Sequence, residues 1–258
     1  MSQTLLEVRD LSLDFGGLRA LDSVSAEIRQ GEVVALIGPN GAGKTSLLNC
    51  INGFYLPTRG TISFCGQPIT DLPPHRLAAA GIGRSFQLVE LIAQATVLEN
   101  VLVGRHAYIR SGWFSSMLFW GSAHQEQIRH REAVEEILEL LELEPYRFQR
   151  AGDLSYGAQK LVGLARALAM EPHLLLLDEP SSGMSRQEKE DLARFLLRVR
   201  HQLPVTILWV EHDTQMVKDL ADRAIVLHYG QKIFDGSSED ALQDPQVVEA
   251  YLGRPVLT

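Results

Sequence analysis

Cysteine is nearly absent from this chain: only Cys50 and Cys65 occur among 258 residues. Two thiols at that spacing give neither a disulfide framework nor a Cys-based zinc site, and a reduced compartment suits them as core residues. Long apolar runs are missing too. The most hydrophobic stretch, GWFSSMLFWGSA from Gly112 to Ala123, falls short of the roughly 20 apolar residues that a spanning helix needs. There is no surplus of basic charge: 24 Lys and Arg face 32 Asp and Glu, a net charge of −8. Nucleic acid is therefore not expected as a partner. The opening MSQTLLEVRDLSLDF carries Glu7, Arg9, Asp10 and Asp14, which excludes a signal-peptide reading of these residues. Low-complexity segments and solenoid repeats are also lacking. The expectation is a soluble, mildly acidic cytoplasmic protein.

What is present is a chain with enough apolar content, 45%, to bury a sizeable core. Leu6, Val8, Leu11, Leu13 and Phe15 alternate as in a strand, with a slip at Arg9 and Asp10, and FGG ends it. EVVALIG (Glu32 to Gly38), HLLLLDEP, VTILWVEH and RAIVLHYG are continuous apolar runs, as expected of strands buried on both faces of a parallel sheet. GTISFCG predicts a further strand, and GQKIFDGSSED a hairpin and turn. From about Gln94 to Met170 the pattern turns helical, with Val134, Ile137, Leu138 and Leu141 at three- and four-residue spacing. A charged helix is predicted over 187–202 and a short one at the C-terminus. Strands alternating with helices at both ends, with a helical stretch between, predict an α/β fold: a mostly parallel sheet, an antiparallel β layer near the termini and an inserted α-helical subdomain.

The chemistry begins at GPNGAGKT, Gly38, Pro39, Asn40, Gly41, Ala42, Gly43, Lys44 and Thr45, which matches G-x-x-x-x-G-K-[ST] in full between a buried strand and a helix that continues with Ser46. The glycines let backbone N–H groups curl around phosphate oxygens, Lys44 reaches the outer phosphates, and Thr45 can ligate Mg²⁺. The helix N-terminus adds partial positive charge. LLLLDEP places Asp178 and Glu179 at the exit of a second buried strand. Asp178 is positioned to hold Mg²⁺ through water, and Glu179 to act as general base toward an attacking water.

Over its whole length the chain resembles the nucleotide-binding subunits of ABC transporters, whose motifs it carries in order. The resemblance implies a stacking role for Phe15 on adenine, and for Gln87 in GRSFQ a role in sensing Mg²⁺ and linking to the membrane subunit. LSYGAQK, Leu154 to Lys160, lies where the signature motif belongs, with Tyr156 and Ala158 replacing the usual third and fifth residues. SSGMS, Ser181 to Ser185, fills the D-loop place but ends in Ser where Asp or Asn is usual, and His212 in VEHD resembles the switch histidine that contacts the γ-phosphate. The family's organisation implies one ABC ATPase domain over 1–258. Its RecA-like core and β layer would occupy 1–90 and 165–240, a helical subdomain with the signature 91–164, and a tail 241–258. It further implies ATP and Mg²⁺ as ligands and a head-to-tail homodimer or a heterodimer with a related ATPase subunit. Ser155 and Gly157 of one subunit would read the γ-phosphate held by the other. Transmembrane permease subunits and, indirectly, a substrate-binding protein are the implied partners, at the cytoplasmic face of the cell membrane.

FGGLRALDSVS, the stretch INGFYLPTRG onward to GRSFQ, TVLENVLVGRH and DPQVVEAYLG resemble the ATPases of branched-chain amino-acid importers. The aromatic segment with Trp113, Phe114, Phe119 and Trp120 fits an insertion of that subfamily, expected near the membrane or subunit contacts. The rival within the family is the ATPase of lipopolysaccharide export, with a comparable tail. A non-transport ABC ATPase is disfavoured by the single P-loop, the short span from Lys44 to Asp178 and the acidic charge. An unrelated P-loop kinase or GTPase would leave LSYGAQK, Gln87 and His212 unexplained.

Overall fold

The computed structural model describes residues 3–85, 91–108 and 122–252. Gln87 and the aromatic segment 112–120 lie outside the described residues.

Strands β1 (Thr4–Phe15) and β2 (Leu18–Arg29) form a long antiparallel hairpin, extended by β4 (Arg59–Phe64) and β5 (Gln67–Pro68) into a four-stranded sheet of order β2-β1-β4-β5. The slip in the β1 pattern is a bulge. Val8 faces Ala26 and Leu11 faces Val24, so one extra residue sits on β1, and Asp10 takes a left-handed φ of 46° there. Its backbone N–H is satisfied by the Ser25 hydroxyl at 2.9 Å. Without that bulge every apolar residue beyond it would point away from the core.

The second sheet has the order β10-β9-β3-β8-β7-β6. Its centre is β3 (Val33–Ile37), β8 (Thr206–Val210) and β7 (Leu174–Asp178), every residue of which is buried. β3 runs parallel to β8 and to β9 (Arg223–His228), and β7 runs parallel to β8 and to β6 (Ile82–Ser85); β10 (Gln231–Ser237) turns back antiparallel on β9. Successive side chains serve different cores. Val33, Ala35 and Ile37 enter one cluster with Leu175, Leu177, Ile207 and Trp209, whereas Val34 and Leu36 enter another with Leu174, Leu176 and Leu208. This two-sided burial is why these strands read as unbroken apolar runs.

On one face, helix α1 (Lys44–Ile51) and the β1–β2–β4 layer complete a core; the short helix α2 (Pro74–Ala79) adds Leu77 to it. On the other face lie α3 (Val97–Leu102), α4 (Ser122–Leu140), α5 (Tyr156–Leu168), α6 (Arg186–Gln202) and α7 (Thr214–Leu220). Two short helices, α8 (Ser238–Ala241) and α9 (Pro245–Leu252), close the described chain. Helix α5 continues unbroken through residues 164 and 165, where the sequence reading divides its helical part from the core. Among the described residues, no helix is long and apolar enough to cross a membrane.

Candidate functional site

The buried strand β3 delivers the chain into the Gly38–Thr45 loop, and glycine is obligatory at both ends of it. Gly38 has a φ of 145°, and a Cβ there would collide with the Leu227 carbonyl of β9. Gly43, at 101°, would press a Cβ onto the Ala20 carbonyl of β2. The loop is therefore wedged between the two sheets, and the Gly230 N–H pins it further by donating to the Ala42 carbonyl at 3.0 Å. Lys44 is buried, and its ammonium donates to the carbonyls of Gly38 (2.7 Å) and Pro39 (2.9 Å). Burial pulls the Lys44 pKa down, while the charges of Glu179 and Asp178 oppose that shift. Helix α1 begins directly at Lys44 with no side-chain cap and no acidic residue in its first turn. Its first N–H groups are thus left for an anionic ligand. Thr45 is exposed, Ser46 half-buried, and Asn40 and Gly41 face solvent.

Asp178 ends β7 and is 3% exposed. Its Oδ2 accepts from Arg84 Nη2 at 2.9 Å, and Arg84 Nη1 donates to Asn49 Oδ1 at 2.6 Å. Burial holds the Asp178 carboxyl above its usual range, against the pull of Arg84. Its Oδ1 is buried and has no hydrogen-bond partner among the described residues. An orphaned hard oxygen is an expensive thing to bury unless a cation meets it. Asp178 Oδ1 and the exposed Thr45 hydroxyl are hard oxygen donors of the kind that fits Mg²⁺, which keeps several waters and takes few protein ligands.

Glu179 follows with a left-handed φ of 50°, unusual for a non-glycine residue. Its N–H donates to the Val210 carbonyl at 3.0 Å, which ties it to the end of β8. Its Oε1 lies 2.9 Å from His212 Nε2. Glu211 supports this arrangement from beneath. It is 2% exposed, and its Oε1 accepts from the Ser181 hydroxyl (2.8 Å) and from the backbone N–H groups of His212 (2.9 Å) and Asp213 (3.2 Å). The structure thus brings together Lys44, Asp178, Glu179 and His212. Arg84, Asn49 and Glu211 complete the cluster but were not assigned from sequence. A carboxylate closing the apolar run VTILWV was the available signal for Glu211; Arg84 had none beyond its place in GRSFQ.

Phe15 stands 45% exposed at the tip of the β1–β2 hairpin, edge-to-face with Tyr55 at 5.2 Å. The same hairpin supplies Ala20, whose carbonyl abuts Gly43 of the P-loop. Ser155 and Gly157 share no hydrogen bond with the P-loop among the described residues. Ser155 is exposed and caps α5, accepting from the Ala158 N–H at 3.3 Å. Gly157 is buried under the Glu188 side chain, which a Cβ at that position would strike. Ser185 caps α6, with Glu188 completing a capping box. A contact invisible in the sequence reaches the P-loop from the other end of the chain: the Gly38 N–H donates to the Tyr251 hydroxyl of α9 at 2.8 Å.

Known proteins place this geometry. The model of the ABC transporter family matches residues 21–182, and a model described as branched-chain amino acid ATP-binding cassette transporter matches 231–256. The high-affinity branched-chain amino acid transport ATP-binding protein LivG of Salmonella typhimurium is 39% identical over 253 residues, spanning 98% of this chain and 99% of its own. A nucleotide-free ATP-binding cassette from an ABC transporter superposes with a TM-score of 0.84 at 33% identity, covering 98% of this chain and 100% of its own. A dimeric post-hydrolysis ATP-binding cassette bound to ADP and Pi gives 0.75 at 26% identity, with coverages of 91% and 99%. With a wedged P-loop, a carboxylate pair at the end of β7 and these full-length likenesses, the chain belongs to the ABC transporter family, as its ATP-binding cassette, an ATPase.

Proposed function

We propose that the chain is the ATPase subunit of an importer for branched-chain or related amino acids. The observation that carries this reading is the double likeness: the cassette along its full length and, separately, the tail over 231–256. The tail match supports the amino-acid reading over lipopolysaccharide export.

Mechanistically, Lys44 and the first turn of α1 bind the phosphates of ATP, and Phe15 offers its exposed face to the base. Asp178 and Thr45 would hold Mg²⁺, with Gln87 as a further ligand, and the ion would supply charge neutralisation on the phosphates. Glu179 takes a proton from the attacking water, and His212, hydrogen-bonded to it, holds the carboxylate in place and reaches the γ-phosphate. Two subunits pair head to tail, and Ser155 and Gly157 of one complete the site of the other. In the structure the Glu188 side chain covers Gly157, so Ser155 and the exposed N-terminus of α5 make the first approach to the partner's phosphate. ATP closes the pair and hydrolysis opens it, driving permease subunits at the cytoplasmic face of the membrane.

The test is copurification with the co-expressed membrane subunits, followed by ATPase assay with the substrate-binding protein and a panel of amino acids. Stimulation by leucine, isoleucine or valine is expected. A stable complex that responds to none of the amino acids would overturn the substrate assignment while leaving the ATPase untouched.

A further inference from the structure

Lys160 is the last residue of LSYGAQK, and it is only 8% exposed although nothing anionic touches its ammonium at hydrogen-bond distance. Its Nζ donates to three backbone carbonyls of one loop: Glu179 at 3.3 Å, Pro180 at 3.0 Å and Ser182 at 2.6 Å. Three donors meet three acceptors, so the ammonium is fully used. Burial lowers its pKa, while the charges of Glu211 and Glu179 oppose the shift. The Tyr156 ring covers it at 5.2 Å, and the same ring packs against Gly183 of that loop. One turn of α5 thus meets residues 179–188 at three points: Tyr156 against Gly183, Gly157 beneath the Glu188 side chain, and Lys160 on the carbonyls of residues 179, 180 and 182.

We infer that Lys160 is a positioning residue: it fixes the backbone of Glu179 and ties the signature end of α5 to the catalytic carboxylate of the same chain. This rests on reading Glu179 as the general base. The argument is one of backbone geometry. A non-glycine residue keeps a left-handed φ only where its surroundings over-determine it. Here the N–H of Glu179 is held by Val210 and its carbonyl by Lys160. Release of the carbonyl frees the peptide to turn, and the carboxylate swings away from His212. In the paired cassettes α5 addresses the partner's nucleotide while Glu179 addresses its own. A rigid link between them makes closure at one site felt at the other.

The experiment uses the full chain and four proteins: wild type, Lys160→Met, Lys160→Arg and Glu179→Gln. ATP affinity is read with a fluorescent ATP analogue, and kcat and KM by phosphate release. Lys160→Met is expected to lose on the order of 10- to 100-fold in kcat, the scale of a misplaced catalytic group, with ATP affinity within about 2-fold of wild type. Lys160→Arg, which keeps the charge and donors, is expected to restore most of kcat. If Lys160→Met does not fold, Lys160→Gln replaces it, and kcat should then follow the donors retained, Arg above Gln. Wild-type kcat in the Met or Gln variant, or parallel loss of affinity and kcat, overturns the proposal. An active Glu179→Gln would instead overturn the general-base reading, whatever the Lys160 variants do.

Discussion

Removal of Arg84 should expose how tightly the site is bound to the stability of the fold. Its guanidinium and the Asp178 carboxylate are 2.9 Å apart with side chains 7% and 2% exposed. At an effective dielectric of about 20, two unit charges at that distance attract by roughly 6 kcal/mol before desolvation is counted. Most of that offsets the burial of two ions, so the pair itself adds little. Loss of one partner is different, because it strands a buried charge at a cost of about 3–5 kcal/mol. Arg84→Met should therefore lower Tm by roughly 6–20 °C at about 2–4 °C per kcal/mol for a chain of this size.

The pH dependence gives the sign. Asp178 already has a raised pKa from burial, and loss of Arg84 raises it further. A carboxyl whose folded pKa exceeds its unfolded one destabilises while ionised. The penalty is complete above the folded pKa and vanishes as pH falls through the window to the unfolded value. Melts of wild type and Arg84→Met should hence diverge most at pH 7.5 and converge as pH falls toward the ordinary carboxylate range. The double variant Arg84→Met with Asp178→Asn should recover more than half the loss, since no charge is left behind. A Tm drop below about 2 °C at pH 7.5, or a double variant no better than the single, would refute the reasoning.

Other consequences are as direct. Glu179→Gln should keep ATP binding and accumulate a nucleotide-bound dimer on size exclusion while phosphate release collapses; wild-type turnover would remove Glu179 from the catalytic role. Lys44→Ala should instead lose nucleotide affinity, seen in equilibrium binding of a fluorescent ATP analogue. Tyr251→Phe leaves the Gly38 N–H without its acceptor and should weaken ATP binding by about 2- to 10-fold, the range of one neutral hydrogen bond; unchanged affinity would make that contact incidental. Burial pushes the Cys50 thiol up to about 12, whereas Cys65 is exposed. A thiol reagent at pH 8 should label Cys65 quickly and Cys50 only after unfolding.

Legibility followed range. The strands β3, β7, β8 and β9 were readable because burial on both faces writes an unbroken apolar run into local sequence. The P-loop, Asp178 and Glu179 were readable because each sits at the end of such a run, and His212 only through the order of the family's motifs. Strand β2 escaped notice: LRALDSVSAEIR mixes polar residues with Leu21, Val24, Ala26 and Ile28, and Ser23, at a φ of 53°, breaks the alternation. Strand β6 is four residues with a glycine, and α7 seven, too short for a period to declare itself. The supporting residues depend on distant partners: Arg84 meets Asp178 across 94 residues, and Gly38 meets Tyr251 across 213. No local pattern encodes such a pair.

The departures from the family pattern have the same physical basis. Ser185 stands where Asp or Asn is usual, and all three are strong N-caps; here the hydroxyl accepts from Glu188 N–H and opens α6 as the others would. Tyr156 stands where the motif has glycine, and a ring at that place would be disabling if it pointed at the partner's phosphate. It lies instead along its own chain, against Gly183 and over Lys160. Ala158 contributes what any residue there would, a backbone N–H that Ser155 accepts. The variant signature therefore keeps the exposed hydroxyl and helix N-terminus free toward the partner, while its one altered side chain that reaches another element, Tyr156, packs on the loop that follows Glu179.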